Sequence, residues 1–139
     1  MEESRRNELL EVAQKAVKKA YAPYSFFKVG AALLTEDGSV YSGCNIENAA
    51  YSPTICAERT ALAKAVSEGH RTFTGILIVS EDGKGNTAFT SPCGVCRQTL
   101  REFCPDDFEV ILSDGREFRS YTLGELLPLS FSKEDVLND

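Results

Sequence analysis

Thr54-Ile55-Cys56-Ala57-Glu58-Arg59 stands where a polar loop, Glu47 to Pro53, gives way to a helical pattern. Pro92-Cys93-Gly94-Val95-Cys96 repeats that junction later in the chain. Working outward from the first junction, Thr54 is a candidate N-cap. Ala61, Leu62, Ala65 and Val66 then supply the buried stripe of a helix over 55–68, and Gly69 closes it. Upstream, Lys28 to Thr35 reads as a buried strand. Asp37-Gly38 is a hairpin signal, and Ser39 to Ile46 resumes as a second strand. The small residues Gly30, Ala31 and Ala32 let something pack closely on the first strand. Before it, apolar residues from Leu9 to Ala20 recur at helical spacing, with Ser4 as the cap and Pro23 beyond the end.

Downstream, Ile76-Leu77-Ile78-Val79 inside 73–80 is an unbroken apolar run, which predicts a central strand covered on both faces. Pro92 opens a helix over 93–103, a position where its missing N–H costs nothing. Strands over 108–112 and 117–121 flank the turn Asp114-Gly115, too short a connection for a parallel pair. A short helix over 122–127 follows, and Pro128 onward is an unassigned tail. Helices interleave with strands, so the class is α/β: a five-stranded mixed sheet flanked by helices, its last two strands antiparallel.

The 139 residues are the right length for a single domain, 1–139. Apolar residues make up 42% and charged residues 26%, ordinary for a soluble protein, and no apolar run is long enough to span a membrane. The charged amino terminus carries no apolar signal segment, which predicts a cytoplasmic protein. A formal charge of −6, with the lysines and arginines scattered, argues against a nucleic-acid partner. Five cysteines without a leader argue against a disulfide framework and for metal or catalysis.

Cys93 and Cys96 share a helix face, so both sulfurs can reach one ion, and Cys56 is the natural third ligand. The lone histidine, His70, follows a helix-closing glycine and reads as helix-end chemistry, so any zinc site here is thiolate-rich. Three thiolates on Zn²⁺ leave a net negative charge, which blunts the ion as a Lewis acid. Two helix N-termini, about half a positive charge each, offset that, and Arg59 can hydrogen-bond the sulfurs. Glu58 is the discriminating residue: a carboxylate beside a zinc-activated water can move protons.

Cys56-Ala57-Glu58 together with Pro92-Cys93-Gly94-Val95-Cys96 resembles the signature of the zinc cytidine deaminases, which include a three-cysteine version with a non-ligand glutamate. The stretches Tyr24 to Leu33, Gly43 to Ala49 and Cys56 to Ala61 resemble the small, homotetrameric branch acting on free nucleosides. The resemblance implies a three-layer fold, one zinc per subunit and hydrolytic deamination of cytidine and 2′-deoxycytidine in pyrimidine salvage. In it a zinc-activated water attacks C4 while Glu58 shuttles protons. It implies that Phe27 packs on the pyrimidine, that Asn45 and Glu47 bond the ribose hydroxyls, and that the Ala57 backbone meets the base. Tyr51 and Phe131 would reach the site from neighbouring subunits, and Gln98 would lie near the zinc shell. The competing readings are a related aminohydrolase acting on a cytosine-nucleoside antibiotic, a polynucleotide deaminase, and a closed structural zinc knot with Cys44 or Cys104 as fourth ligand.

Overall fold

A computed structural model describes residues 1–137. The elements are α1 (Glu3–Val17), β1 (Lys28–Thr35), β2 (Val40–Cys44), α2 (Ala57–Ser67), β3 (Phe73–Glu81), α3 (Gly94–Arg101), β4 (Glu109–Ser113), β5 (Phe118–Thr122), α4 (Leu123–Leu126) and α5 (Lys133–Leu137). The strands make one sheet in the order β2-β1-β3-β4-β5. Only β3 and β4 run parallel, joined through α3; β1–β2, β1–β3 and β4–β5 are antiparallel. The expected mixed five-stranded sheet is therefore present, with the apolar run of β3 at its centre.

Alternation along the strands sorts the core into two faces, because successive strand side chains point to opposite sides. Ala32, Leu34, Leu77, Val79 and Ile111 meet Leu9, Ala13 and Val17 of α1. Ala31, Leu33, Ile76, Ile78, Val110 and Leu112 meet Ala57, Ala61, Leu62 and Ala65 of α2 and Leu100 of α3. The result is three layers, with the helices that carry the cysteines together on one face.

Two glycines set how close those helices come. A Cβ on Gly30 would lie 2.3 Å from the Ala13 carbonyl oxygen and 2.7 Å from the Val17 nitrogen, so α1 rests on the β1 backbone. A Cβ on Gly43 would lie 2.3 Å from the Ala57 carbonyl oxygen and 2.5 Å from the Ala61 nitrogen. These are backbone atoms of α2 and cannot swing away. Gly43→Ala is expected to destabilise the fold by about 1–3 kcal/mol, as overpacking does, and to displace the start of α2. A urea midpoint equal to that of the parent protein would refute this.

Several boundaries differ from the expectation, each for a local reason. Helix α1 is capped by Glu2 without a side-chain bond, and Ser4 lies inside its first turn. Thr54 is not the cap of α2; Cys56 is, at φ −79° and ψ 158°. Ile55 exchanges backbone bonds of 2.9 and 3.0 Å with Ile46, which keeps the chain extended past Thr54. The Thr54 hydroxyl accepts the Asn48 N–H instead, at 3.0 Å. Pro92 is buried ahead of the cap of α3 rather than in its first turn, because Cys93 is the cap. Strand β2 stops at Cys44, where the Asn45 side chain turns to the β1 backbone. In the tail, α5 forms where no element was expected; residues 138 and 139 lie outside the described part. Helix α4 is held by a capping box between Thr122 and Glu125. Among the described residues no helix is long and apolar enough to cross a membrane.

Candidate functional site

Cys56 is the N-cap of α2, and Cys93 is the N-cap of α3 with Cys96 in its first turn. The fold thus brings two helix N-termini together on one face of the sheet. The Cys93 and Cys96 sulfurs are 3.4 Å apart, and those of Cys56 and Cys93 are 3.9 Å apart. All three lie within 4.8 Å of one another. Two ligands on zinc–sulfur bonds of about 2.3 Å at the tetrahedral angle sit about 3.8 Å apart, so the cluster is close to the spacing one zinc ion needs. Cys93 also accepts the Cys96 N–H at 3.4 Å, doing with sulfur what a serine or aspartate cap does with oxygen.

The electrostatics favour one thiolate, at Cys56. Cys56 is pushed down to about 5, first by a hydrogen bond from Cys96 and then by the Arg59 guanidinium, against the cost of its burial. Cys96 is pushed up by that same hydrogen bond and by burial, so the first proton to leave the pair comes from Cys56. The Arg59 Nη2 donates to the Cys56 sulfur at 3.5 Å and to the Thr54 carbonyl at 3.4 Å.

Glu58 follows Cys56 by two residues in the first turn of α2 and is only 4% exposed. Burial pushes its carboxyl up to about 7, and the Cys56 charge adds to that. A carboxyl held near neutrality beside this sulfur cluster can both take and return a proton under ordinary conditions.

The remaining expected residues separate into two groups. Phe27, Asn45 and Glu47 are tied together at the mouth of β1. The Asn45 amide donates to the Phe27 carbonyl at 2.8 Å and accepts the Val29 N–H at 2.8 Å. Glu47 accepts the N–H groups of Tyr24 and Ser25 at 2.9 and 3.1 Å. A cavity of about 440 Å³ lined by Tyr24, Ser25, Glu47, Tyr51 and Thr54 opens beside them. Thr54 links this cavity to the sulfurs through Arg59. Ala57 begins α2, so its N–H is one of the donors a helix leaves free at its start. Phe131 stands apart from that cavity, and on one chain Tyr51 and Phe131 are 75% and 63% exposed. Gln98 donates its amide to the Phe131 carbonyl at 2.8 Å, tethering the tail to the helix that carries Cys96.

Two side chains that brace these segments carry no sequence signal of that role. Arg97 donates to the Pro92 carbonyl at 2.8 Å, to the Ser91 hydroxyl at 2.6 Å and to the Leu126 carbonyl at 2.6 Å, bracing the loop that enters Cys93. Ser25 bonds both Glu47 and Phe27. Arg97 is marked only by its place next to Cys96, which does not record the bracing; for Ser25 no local pattern exists.

The family model described as cytidine and deoxycytidylate deaminase zinc-binding region matches residues 3–112. The chain belongs to this deaminase family. A cytidine deaminase of Sporosarcina psychrophila is 51% identical to it over 92% of this chain and 92% of that protein. A cytidine deaminase of Halalkalibacterium halodurans is 48% identical over 94% and 97%. The crystal structure of the Burkholderia pseudomallei cytidine deaminase superposes with a TM-score of 0.83 at 45% identity, covering 94% of this chain and all of the other. Within the deaminase family's zinc-binding region, Cys56, Cys93 and Cys96 are the cluster that can hold the ion.

Proposed function

We propose that this protein deaminates cytidine and 2′-deoxycytidine hydrolytically, releasing ammonia and uridine or 2′-deoxyuridine, as one unit spanning residues 1–139. The observation that carries the reading is the buried Glu58 beside three converging sulfurs at two helix N-termini. Zinc, when bound there, supplies a Lewis acid that makes water acidic near neutral pH. Cys56, Cys93 and Cys96 hold it, and Arg59 withdraws charge from Cys56. Glu58 takes a proton from water, delivers it to ring nitrogen N3, and carries the second to the departing amino group. One water enters, one ammonia leaves, and the carboxylate is returned as it began.

Phe27 offers a wall for the pyrimidine, the Ala57 N–H meets the base, and Asn45 and Glu47 meet the sugar hydroxyls. Gln98 acts on the shell indirectly, by placing the Phe131 segment against α3. Tyr51 and Phe131, exposed on one chain, are assigned to sites on neighbouring subunits of a homotetramer. Five free thiols suit a reducing compartment, which supports a cytoplasmic salvage enzyme. The net charge of −6 disfavours polynucleotide substrates.

One experiment addresses these statements together. Ammonia release from cytidine is measured across a sedimentation gradient, before and after zinc is stripped with a chelator. Activity should travel with the tetramer, vanish on stripping and return with zinc. An active monomer would remove the shared-site part. Unchanged turnover without metal would remove the mechanism, and turnover of a cytosine-nucleoside antibiotic in place of cytidine would reassign the substrate.

A further inference from the structure

We infer that Ser25 is a positioning residue for the sugar end of the substrate, holding the Glu47 carboxylate in place where both residues line the cavity. The inference rests on the reading that Glu47 meets the sugar hydroxyls. Oε1 of Glu47 accepts two backbone bonds, from the N–H groups of Tyr24 and Ser25. Those two donors fix one oxygen but leave the carboxylate free to swing about it. Oε2 accepts the Ser25 hydroxyl, which removes that freedom. The same hydroxyl oxygen accepts the Phe27 N–H at 3.0 Å. Phe27 is in turn bonded through its carbonyl to Asn45 at 2.8 Å.

Glu47, Ser25, Phe27 and Asn45 therefore form one connected set. Three of its members are assigned to the substrate, and the fourth, Ser25, couples them. Between Ser25 and Phe27 the chain passes through Phe26 at φ 61°, a conformation uncommon for a residue with a side chain. The segment from Tyr24 to Phe27 is exposed, so water competes for the carboxylate wherever protein donors are missing. Ser25 is also the first cause of the lowered Glu47 carboxyl, ahead of the two backbone donors. A charge-assisted bond of this kind is stronger and more directional than a neutral one.

The effect must appear on substrates that offer 2′- or 3′-hydroxyls and disappear on those that lack both. For Ser25→Ala, the KM of cytidine is expected to rise roughly tenfold with kcat within about twofold, the size of a lost bond to a charged group. The affinity of 2′,3′-dideoxycytidine, read as competition against cytidine, should stay within about twofold of the parent. Zinc content should be unchanged, and Ser25→Thr, which keeps the hydroxyl, should restore the cytidine KM. Equal losses on both nucleosides, or a threonine variant as weak as the alanine one, would overturn the role of Ser25 while leaving the deaminase reading intact. Absence of cytidine turnover in the parent protein would remove both, so the two failures are told apart in one set of assays.

Discussion

Glu58→Gln is expected to lower kcat by roughly a hundred- to ten-thousandfold, the range for losing a general acid–base group. The substitution is isosteric, so Ala57, Arg59 and the sulfurs keep their surroundings. It removes a charge from a position that is 4% exposed. Burying a carboxylate is unfavourable, as the rise of this carboxyl to about 7 records. The glutamine protein should therefore be at least as stable as the parent while nearly inactive. Zinc content from a chromogenic chelator, the urea midpoint and kcat measured together separate loss of chemistry from loss of fold. The acid side gives a second reading. The base form is needed, so kcat/KM falls as the pH drops through the carboxyl's range. Burial, with the Cys56 charge beside it, places that range near 7, and a bound dication pulls it lower. The acid limb of the parent should lie at or below pH 7, and a limb above it would assign the limb to another group. Stability of the zinc-stripped protein provides the converse check. The folded carboxyl is raised from an ordinary 4.5 to about 7, so between those values the native state holds a proton the unfolded chain has lost. Glu58 then contributes a fall in stability as pH rises through that window, opposed above about pH 5 by Cys56, whose lowered thiol has lost a proton the unfolded chain keeps, so stability should rise more steeply with pH in Glu58→Gln than in the parent.

How far the amino-acid sequence reveals this molecule depends on how local each cause is. The centre of the sheet was legible because Ile76-Leu77-Ile78-Val79 needs cover on both faces whatever surrounds it. The β1–β2 hairpin was legible because Gly38, at φ 93°, occupies a conformation few other residues accept. The start of α2 was not, since a bond pair between Ile46 and Ile55 decides it and no pattern around Thr54 records that pairing. Helix α5 buries no side chain, so it leaves no apolar periodicity to read. The sulfurs and Glu58 were visible because capping, metal ligation and proton transfer all act within a few residues of a helix start. Ser25 was invisible in its role because its partner Glu47 lies 22 residues on and comes near only when β1 and β2 close.

Cys96→Ser is expected to abolish zinc retention and to reduce turnover at least roughly a thousandfold, since a Lewis acid worth several kcal/mol goes with the ion. Cys96 is the sulfur of the cluster to test because it is fully buried, and it cannot be replaced by a neighbour moving in from solvent. A serine oxygen is shorter, harder and protonated at neutral pH, so two thiolates at the mouth would be left to hold the ion alone. The informative comparison is with the two cysteines outside the cluster. Cys44 is half-buried in β2, and Cys104 is buried behind α3, where desolvation pushes its thiol up to about 12. Neither belongs to the group of sulfurs that converge. Cys44→Ser and Cys104→Ser should keep zinc, ammonia release and the rate at which a chelator extracts the metal. A closed structural knot makes the opposite demand: it needs a fourth protein sulfur, so one of these two variants would lose zinc as readily as Cys96→Ser does. Metal extraction rates across the three serine variants therefore decide between an ion left open to water and one sealed by the chain, independently of any substrate.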